Sequence, residues 1–234
     1  MRMYSADGRS RWPWVIGALV LAAIIVAVVV FTTTRGTGKP AQAAAPTATV
    51  TATPSATPSD NSVSDNDPTG CLGGPDYNAT SVLTAQKAAP DTQDGAVEVA
   101  AAYYRFALQY PYPSAAQQDQ VTAALKASGA PASYWATITN ANTGDDPAGS
   151  ELPAGTHFTM STVNGLWRAT DAGNGELIVD LAAGYVIDGA LSPTKVGADG
   201  FYMKWENGAW KIIDGHTVDQ SALAADGTHF LAGC

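Results

Sequence analysis

Basic residues are scarce after residue 39 of this 234-residue chain. Seven lysines and arginines stand there against twenty aspartates and glutamates, a net charge of −13, whereas residues 1–39 carry five basic groups and one acidic group, a net of +4. An acidic surface repels phosphate backbones, so direct nucleic-acid binding is not expected. Histidines are also few, and His157, His216 and His229 are too far apart in sequence to predict a metal site.

The short motifs that mark common enzyme classes are missing. The sequence contains no nucleophile elbow, phosphate-binding loop or dinucleotide fingerprint. The residues to consider for acid–base chemistry are Tyr103, Tyr104, Asp180 and His157. Strand alternation places Asp180 with Glu176 on a solvated face, and the two tyrosines fit ordinary helix packing. We therefore expect no catalytic residue, no metal and no cofactor.

Charge is absent from residues 12–34, whose centre reads PWVIGALVLAAIIVAVVVF. The length matches the about 20 apolar residues that cross a bilayer as a helix. Three arginines precede the run, which favours a cytoplasmic tail at residues 1–11. A cleaved signal peptide is the alternative, since AQAAAP at 41–46 offers the small residues of a cleavage site. Either interpretation predicts that residues 71–234 lie outside the cytoplasm, and the first predicts a single-pass protein of the cell membrane.

Residues 35–70 are rich in Ala, Thr and Pro and poor in large apolar residues, which predicts a disordered linker. Only two cysteines are present, Cys71 and Cys234, and they bracket the region from 71 to 234. An even cysteine count outside the cytoplasm predicts a disulfide between them. Closing so long a loop stabilises a fold by about 4–5 kcal/mol in the chain-entropy treatment.

From Gly95 the apolar residues recur at helical spacing. The stretch GAVEVAAAYYRFALQY predicts a first helix that is buried on a wide face. Ser114, with Gln117 three residues later, predicts the start of a second helix that ends at Gly129. Pro131 predicts the start of a third, short helix over PASYWATIT.

After residue 155 apolar and polar residues alternate, which predicts strands. Asn164-Gly165 and Asn207-Gly208 each predict a tight hairpin turn, and GELIVDLAAGYVIDG between them predicts one strand or a bent pair. The predicted fold class is therefore α+β, with three N-terminal helices packed on a curved antiparallel sheet of about four strands.

The second hairpin fixes a register. A two-residue loop places Trp205 opposite Trp210 and Met203 opposite Ile212, so that their side chains share one face. His216 is expected in a turn beyond this hairpin. Residues expected in the core, or lining a pocket within it, are Tyr104, Trp167, Met203, Trp205 and Trp210.

This order of elements, closed by the hairpin FYMKWENGAWKI, resembles the nuclear transport factor two-like (cystatin-like) superfamily over roughly residues 90–216. With the apolar span and the linker added, the chain resembles scaffold proteins of type IV secretion and conjugation machines in actinobacteria. The resemblance implies a non-enzymatic subunit whose partners are other envelope-complex proteins. An accessory protein of a lipid-import system is an alternative, and a small-molecule-binding or enzymatic domain of the same fold is another. Partner identity and oligomeric state stay open.

Overall fold

The computed structural model describes residues 67–141, 148 and 151–234. The predicted cytoplasmic tail, the apolar span and the linker as far as residue 66 lie outside this part of the chain. Among the described helices, none has the length and apolar character needed to cross a bilayer.

Four helices precede the sheet and one follows it. The bounds are α1 Ala79–Ala88, α2 Gln93–Ala107, α3 Ala115–Leu125, α4 Ala132–Ala141 and α5 Gln220–Asp226. The three predicted helices correspond to α2, α3 and α4, and Ser114 caps α3 by accepting a hydrogen bond from the Gln117 backbone. The sequence analysis missed α1, because its buried face holds small and polar residues, with Val82 as the single large apolar one.

Helix α2 is the centre of the domain. Twelve of its fifteen residues are buried, so the helix is enclosed on nearly every side, as the two apolar stripes predict. The Thr92 side chain caps its first turn by accepting from the Gly95 backbone. Residue 95 must be glycine, since a Cβ there would lie 2.1 Å from the Pro90 carbonyl oxygen.

The five strands form one antiparallel sheet in the order β4-β3-β2-β1-β5. Their bounds are β1 Phe158–Gly173, β2 Glu176–Ile187, β3 Ala190–Glu206, β4 Ala209–His216 and β5 Thr228–His229. Helix α2 packs on one face, which we call the inner face, and the opposite one is the outer face. The α+β class is confirmed, with four long strands and a short fifth.

Tight turns join the four long strands. Asn174-Gly175, Asp188-Gly189 and Asn207-Gly208 all have positive φ at both positions, the geometry of a two-residue hairpin turn. The register predicted across Asn207-Gly208 is confirmed, because Trp205 pairs with Trp210 and Met203 with Ile212.

The hairpin predicted at Asn164-Gly165 is wrong. Asn164 does adopt a positive φ of 58°, but β1 continues in the same direction through a bulge between Ser161 and Leu166. The C-terminal segment occupies the space beside the bulge, where the Phe230 backbone N–H donates to the Gly165 carbonyl. A local turn signal is thus overridden by packing against a distant part of the chain.

The core lies between α2 and the inner face. Tyr104, Trp167, Met203 and Trp210 are buried in it, and Trp205 packs against it half-buried. Side chains at alternate positions of each strand fill the inner face, as the pleat of a sheet requires.

The two ends of the described chain are tied together. A disulfide joins Cys71 to Cys234 with an S–S distance of 2.07 Å, which confirms the predicted pair. Thr69, which the sequence analysis placed in the linker, donates its backbone N–H and its hydroxyl to the buried carboxylate of Glu98 on α2. The buried guanidinium of Arg105 donates to the carbonyls of Gly74 and Pro75.

Candidate functional site

A row of polar side chains crosses the outer face of the sheet. Asp180 on β2 lies between Arg168 on β1 and His216 on β4, and Gly200 fills the position on β3. Arg168 donates to Asp180 Oδ2 over 2.9 Å, and His216 Nδ1 lies 2.8 Å from Asp180 Oδ1. Asp180 is only 1 % exposed, so its predicted place on a solvated face is wrong. Its two partners cover the carboxylate.

His216 is the last residue of β4, so its predicted place in a turn beyond the hairpin is wrong as well. Asp and Gly are common turn residues, so Asp214-Gly215 predicts the end of the strand. Gly215 instead lies within it, pressed against the ring of Tyr134, whose nearest atom would be 2.9 Å from a Cβ. A bulge opposite Tyr202 and Met203 keeps the strand paired as far as His216.

A carboxylate that holds one nitrogen of an imidazole is the arrangement that orients a general base. The arrangement becomes a catalytic site only with a nucleophile or a substrate proton at the other nitrogen. Within residues 67–141 and 151–234, no hydroxyl or thiol is hydrogen-bonded to His216. The outer-face row therefore joins three strands and does not assemble a nucleophilic triad among the described residues.

A second polar group lies on the inner face, where Asp199 on β3 stands between Gly197 and Phe201. Partial loss of hydration among the surrounding residues raises the pKa of Asp199 to about 6, even though the residue is exposed to solvent. The backbone N–H of Gly200 donates to its Oδ1 over 2.9 Å and partly opposes this rise. A carboxyl group with this pKa exchanges a proton near neutral pH. The sequence analysis missed Asp199, because nothing in GADGF distinguishes it from a turn residue.

Tyr104 on α2 points at the same part of the sheet. Its ring is 2 % exposed, and burial raises the pKa of its hydroxyl well above the ordinary value. Within the described part of the chain, that hydroxyl has no hydrogen-bond partner. It lies 2.6 Å from the position that a Cβ on residue 197 would occupy, so Gly197 leaves room for the hydroxyl. Asp199 thus offers a proton acceptor, and Tyr104 offers a neutral donor against Gly197, two residues before Asp199 on the same face of β3.

Replacing Asp199 with asparagine will raise the free energy of unfolding by about 1 kcal/mol at neutral pH, after allowance for solvent screening. The folded-state pKa lies above the ordinary value of 3.8, so ionisation of Asp199 opposes folding. Its contribution to stability is present at low pH and is lost as the pH rises through about 6. Urea denaturation near pH 7.5 and near pH 3.5 measures this, and an equal gain at both pH values would contradict the charge as its cause.

Of the other residues considered for chemistry, Tyr103 lies near Asp199, because burial and then the charges of Tyr134 and Asp199 raise the pKa of its hydroxyl well above the ordinary value. His157 is exposed just before β1 and packs edge-on against Tyr110, 5.9 Å between ring centres. The Tyr103 ring packs on Phe201 and on Trp135 in the core. In the part of the chain that the structure describes, no group of three or more His, Cys, Asp or Glu side chains is placed to hold a metal ion.

An apolar groove crosses the outer face where bulges interrupt both neighbours of β2. β1 bulges between Ser161 and Leu166, and β3 bulges between Leu191 and Val196. The bulged segments form walls on either side of residues 182–184. The floor consists of the Ala182 side chain, Gly184 and the backbone of Ala183, whose own side chain packs in the core. No sequence feature considered above predicted this groove, since alternation assumes uninterrupted strands.

The groove encloses about 500 Å³ and continues toward α5 as a second hollow of about 230 Å³, with Val196 lining both. Its walls include Val163, Leu191 and Val196, whose exposed fractions are 36 %, 42 % and 66 %. Within the described residues, the other large apolar residue with such exposure is Leu231, at 43 %, outside the groove lining. Exposed apolar side chains that cluster in this way mark a contact surface more often than scattered ones do.

Comparison with known proteins returned no relative. No model of a known protein family matches the chain. No curated protein and no solved structure is significantly similar to it either.

Proposed function

We propose that the chain is a single-pass protein of the cell membrane with its α+β domain outside the cytoplasm. Residues 12–34 form the span in this proposal, residues 1–11 the cytoplasmic tail, and the Ala/Thr/Pro-rich stretch after residue 35 the tether. The disulfide between Cys71 and Cys234 supports an oxidising location for the domain.

The domain serves, in this proposal, as an assembly subunit that docks on other proteins of a cell-envelope complex. The observation that carries the proposal is the apolar groove, which gathers three of the four strongly exposed large apolar side chains among the described residues. The order of helices and strands, which resembles the nuclear transport factor two-like superfamily, supports a conjugation or secretion machine. A lipid-import system is the alternative complex.

In-cell crosslinking of the full-length protein in its native membrane tests this proposal. Mass spectrometry of the captured proteins should recover an ATPase and channel subunits of a secretion or conjugation machine. Capture of lipid-import proteins would instead support the alternative, in which the chain belongs to a lipid-import system. Recovery of the chain without any partner would contradict docking as its function.

A second function, binding or proton transfer on a small molecule, is favoured by one observation. Asp199 has a pKa near neutrality, and the unpartnered hydroxyl of Tyr104 lies against the same strand face. A ligand held by these groups would be detected by native mass spectrometry of the purified protein. It would be lost in the Asp199→Asn variant, whereas a docking subunit would show no such ligand.

A further inference from the structure

We propose that the outer-face groove binds an amphipathic helix with a basic polar face, presented by a partner protein. The groove is lined by residues 163–166, 182–184, 191–193, Val196 and His229, and the second hollow at one end is lined by Gln220, Leu223 and Ala224 of α5. This inference rests on the proposed docking function, because it specifies the partner at that site. Three properties of the groove define the occupant.

The lining requires apolar anchors. Val163, Leu191 and Val196 form the walls, and the floor of small residues leaves depth for side chains that enter from outside. A volume of about 500 Å³ is large enough for a few aliphatic or aromatic side chains. Burying these three wall residues is favourable in proportion to the apolar area removed from water.

The backbone of the floor favours a helix over an added strand. Ala182 pairs with Leu166 on one side and with Ala198 on the other. A peptide strand needs a free sheet edge to join by main-chain hydrogen bonds, and β2 lies inside the sheet. A helix makes no such demand, because its own backbone is satisfied and only its side chains enter the groove.

The charges around the groove favour a basic partner. Asp188 is exposed in the β2–β3 turn, three residues before the lining residue Leu191. Asp219 and Asp226 are exposed at the two ends of α5, one residue before Gln220 and two residues after Ala224 of the second hollow. Lys195, beside the lining residue Val196, is paired with Glu151, and Arg168, two residues after Leu166, is paired with Asp180. His229 also lines the groove. A second copy of the chain would bring the same three carboxylates, and an anionic lipid surface would be repelled as well. Lysine or arginine on the polar face of the helix complements this rim.

Peptide binding to the full-length protein in zwitterionic lipid nanodiscs tests the inference, with empty nanodiscs subtracted. Two fluorescent helical peptides of about 18 residues carry leucine on one face and either lysine or glutamate on the other. We expect the Leu/Lys peptide to bind at least about tenfold more tightly than the Leu/Glu peptide. The Val196→Ser substitution should lower the affinity for the Leu/Lys peptide about tenfold. The matched control Leu231→Ser, at an exposed apolar position outside the groove, should leave binding unchanged.

Charge is tested separately by the double variant Asp188→Asn, Asp226→Asn. Asparagine tolerates the left-handed conformation at position 188, so the turn is kept. We expect the double variant to bind the Leu/Lys peptide about threefold to tenfold more weakly and with less dependence on salt.

The inference is overturned if the Leu/Glu peptide binds equally well, or if neither peptide binds. It is also overturned if Val196→Ser binds like the unmodified protein, or if sedimentation shows a dimer that Val196→Ser dissociates. In-cell crosslinking of the Val196→Ser variant distinguishes failure of the helix-binding inference from failure of the proposed docking function. Envelope partners still captured by the variant would leave the docking function standing at another surface. Absence of any partner with the unmodified protein would remove the docking function itself.

Discussion

Replacing Cys71 and Cys234 with serine will lower the free energy of unfolding by about 4–5 kcal/mol. The disulfide closes a loop with a sequence separation of 163, so its loss releases nearly the whole domain in the unfolded state. Hydrogen bonds between Thr162 and Cys234 also hold the C-terminus, but they break on unfolding and do not restrict the unfolded chain. A loss of this size is a large part of the stability of an ordinary domain.

Urea denaturation followed by tryptophan fluorescence measures the change, with the unmodified protein in a thiol reductant as a second test. The serine variant and the reduced protein should unfold at similar, lower urea concentrations. A control substitution at Leu231, exposed and close in sequence to Cys234, should shift the midpoint little. Equal midpoints for the oxidised protein and the serine variant would show that the native contacts alone hold the termini.

Replacing Asp180 with alanine will destabilise the domain by about 3 kcal/mol. The substitution removes the one carboxylate that Arg168 and His216 share, and leaves a partly covered guanidinium facing an imidazole. Removing one partner of a buried ion pair costs more than removing all partners together, because the remaining charge has lost its compensation.

Chemical denaturation of three variants tests this explanation. Asp180→Ala alone should lose the most stability, and adding Arg168→Met and His216→Phe should recover about 1 kcal/mol or more. Asp226→Ala, at an exposed carboxylate at the end of α5, should change the stability by less than about 0.5 kcal/mol. If the triple variant is less stable than Asp180→Ala, the row contributes through its packing and not through charge.

Turn chemistry predicts local geometry better than it predicts the course of the chain. Asn164-Gly165 and Asn207-Gly208 have the same sequence, and the asparagine has a positive φ in both. Only the second joins two strands, because the first is held in a bulge by the C-terminal segment at Phe230. That contact joins residues far apart in sequence, so no local pattern indicates it.

Alternation likewise predicted the orientation of Asp180 but not its surroundings. The residue does point away from the inner-face side chains Val179 and Leu181, as the period of two requires. Its burial depends on Arg168 and His216, whose positions follow from the register of two other strand pairs. Strand register of that kind is set by the whole sheet, and it decides whether an outward carboxylate is solvated or enclosed.

The candidate functional sites could not be predicted from the sequence for a related reason. Asp199 and Tyr104 are 95 positions apart, and the groove depends on bulges in two different strands. The small residues of LAAGY read as weak strand formers, whereas the structure uses them as a floor. Composition and periodicity describe single elements, and these sites exist only between elements.

The disulfide between the two ends of the described chain gives mechanical force a short route through the domain. Cys71 is bonded to Cys234, and Cys234 is hydrogen-bonded to Thr162, the neighbour of Val163 in the groove wall. A pull between a partner seated in the groove and the chain before Cys71 would therefore run through a covalent bond and a few residues of the β1 bulge. Helix α2 would share that tension through the hydrogen bonds of Thr69 to Glu98, and β2 and β3 would share it through the groove residues that they contribute. Under the proposed docking function, tension from the tether would thus enter the folded domain at two places, the disulfide at Cys71 and the carboxylate of Glu98.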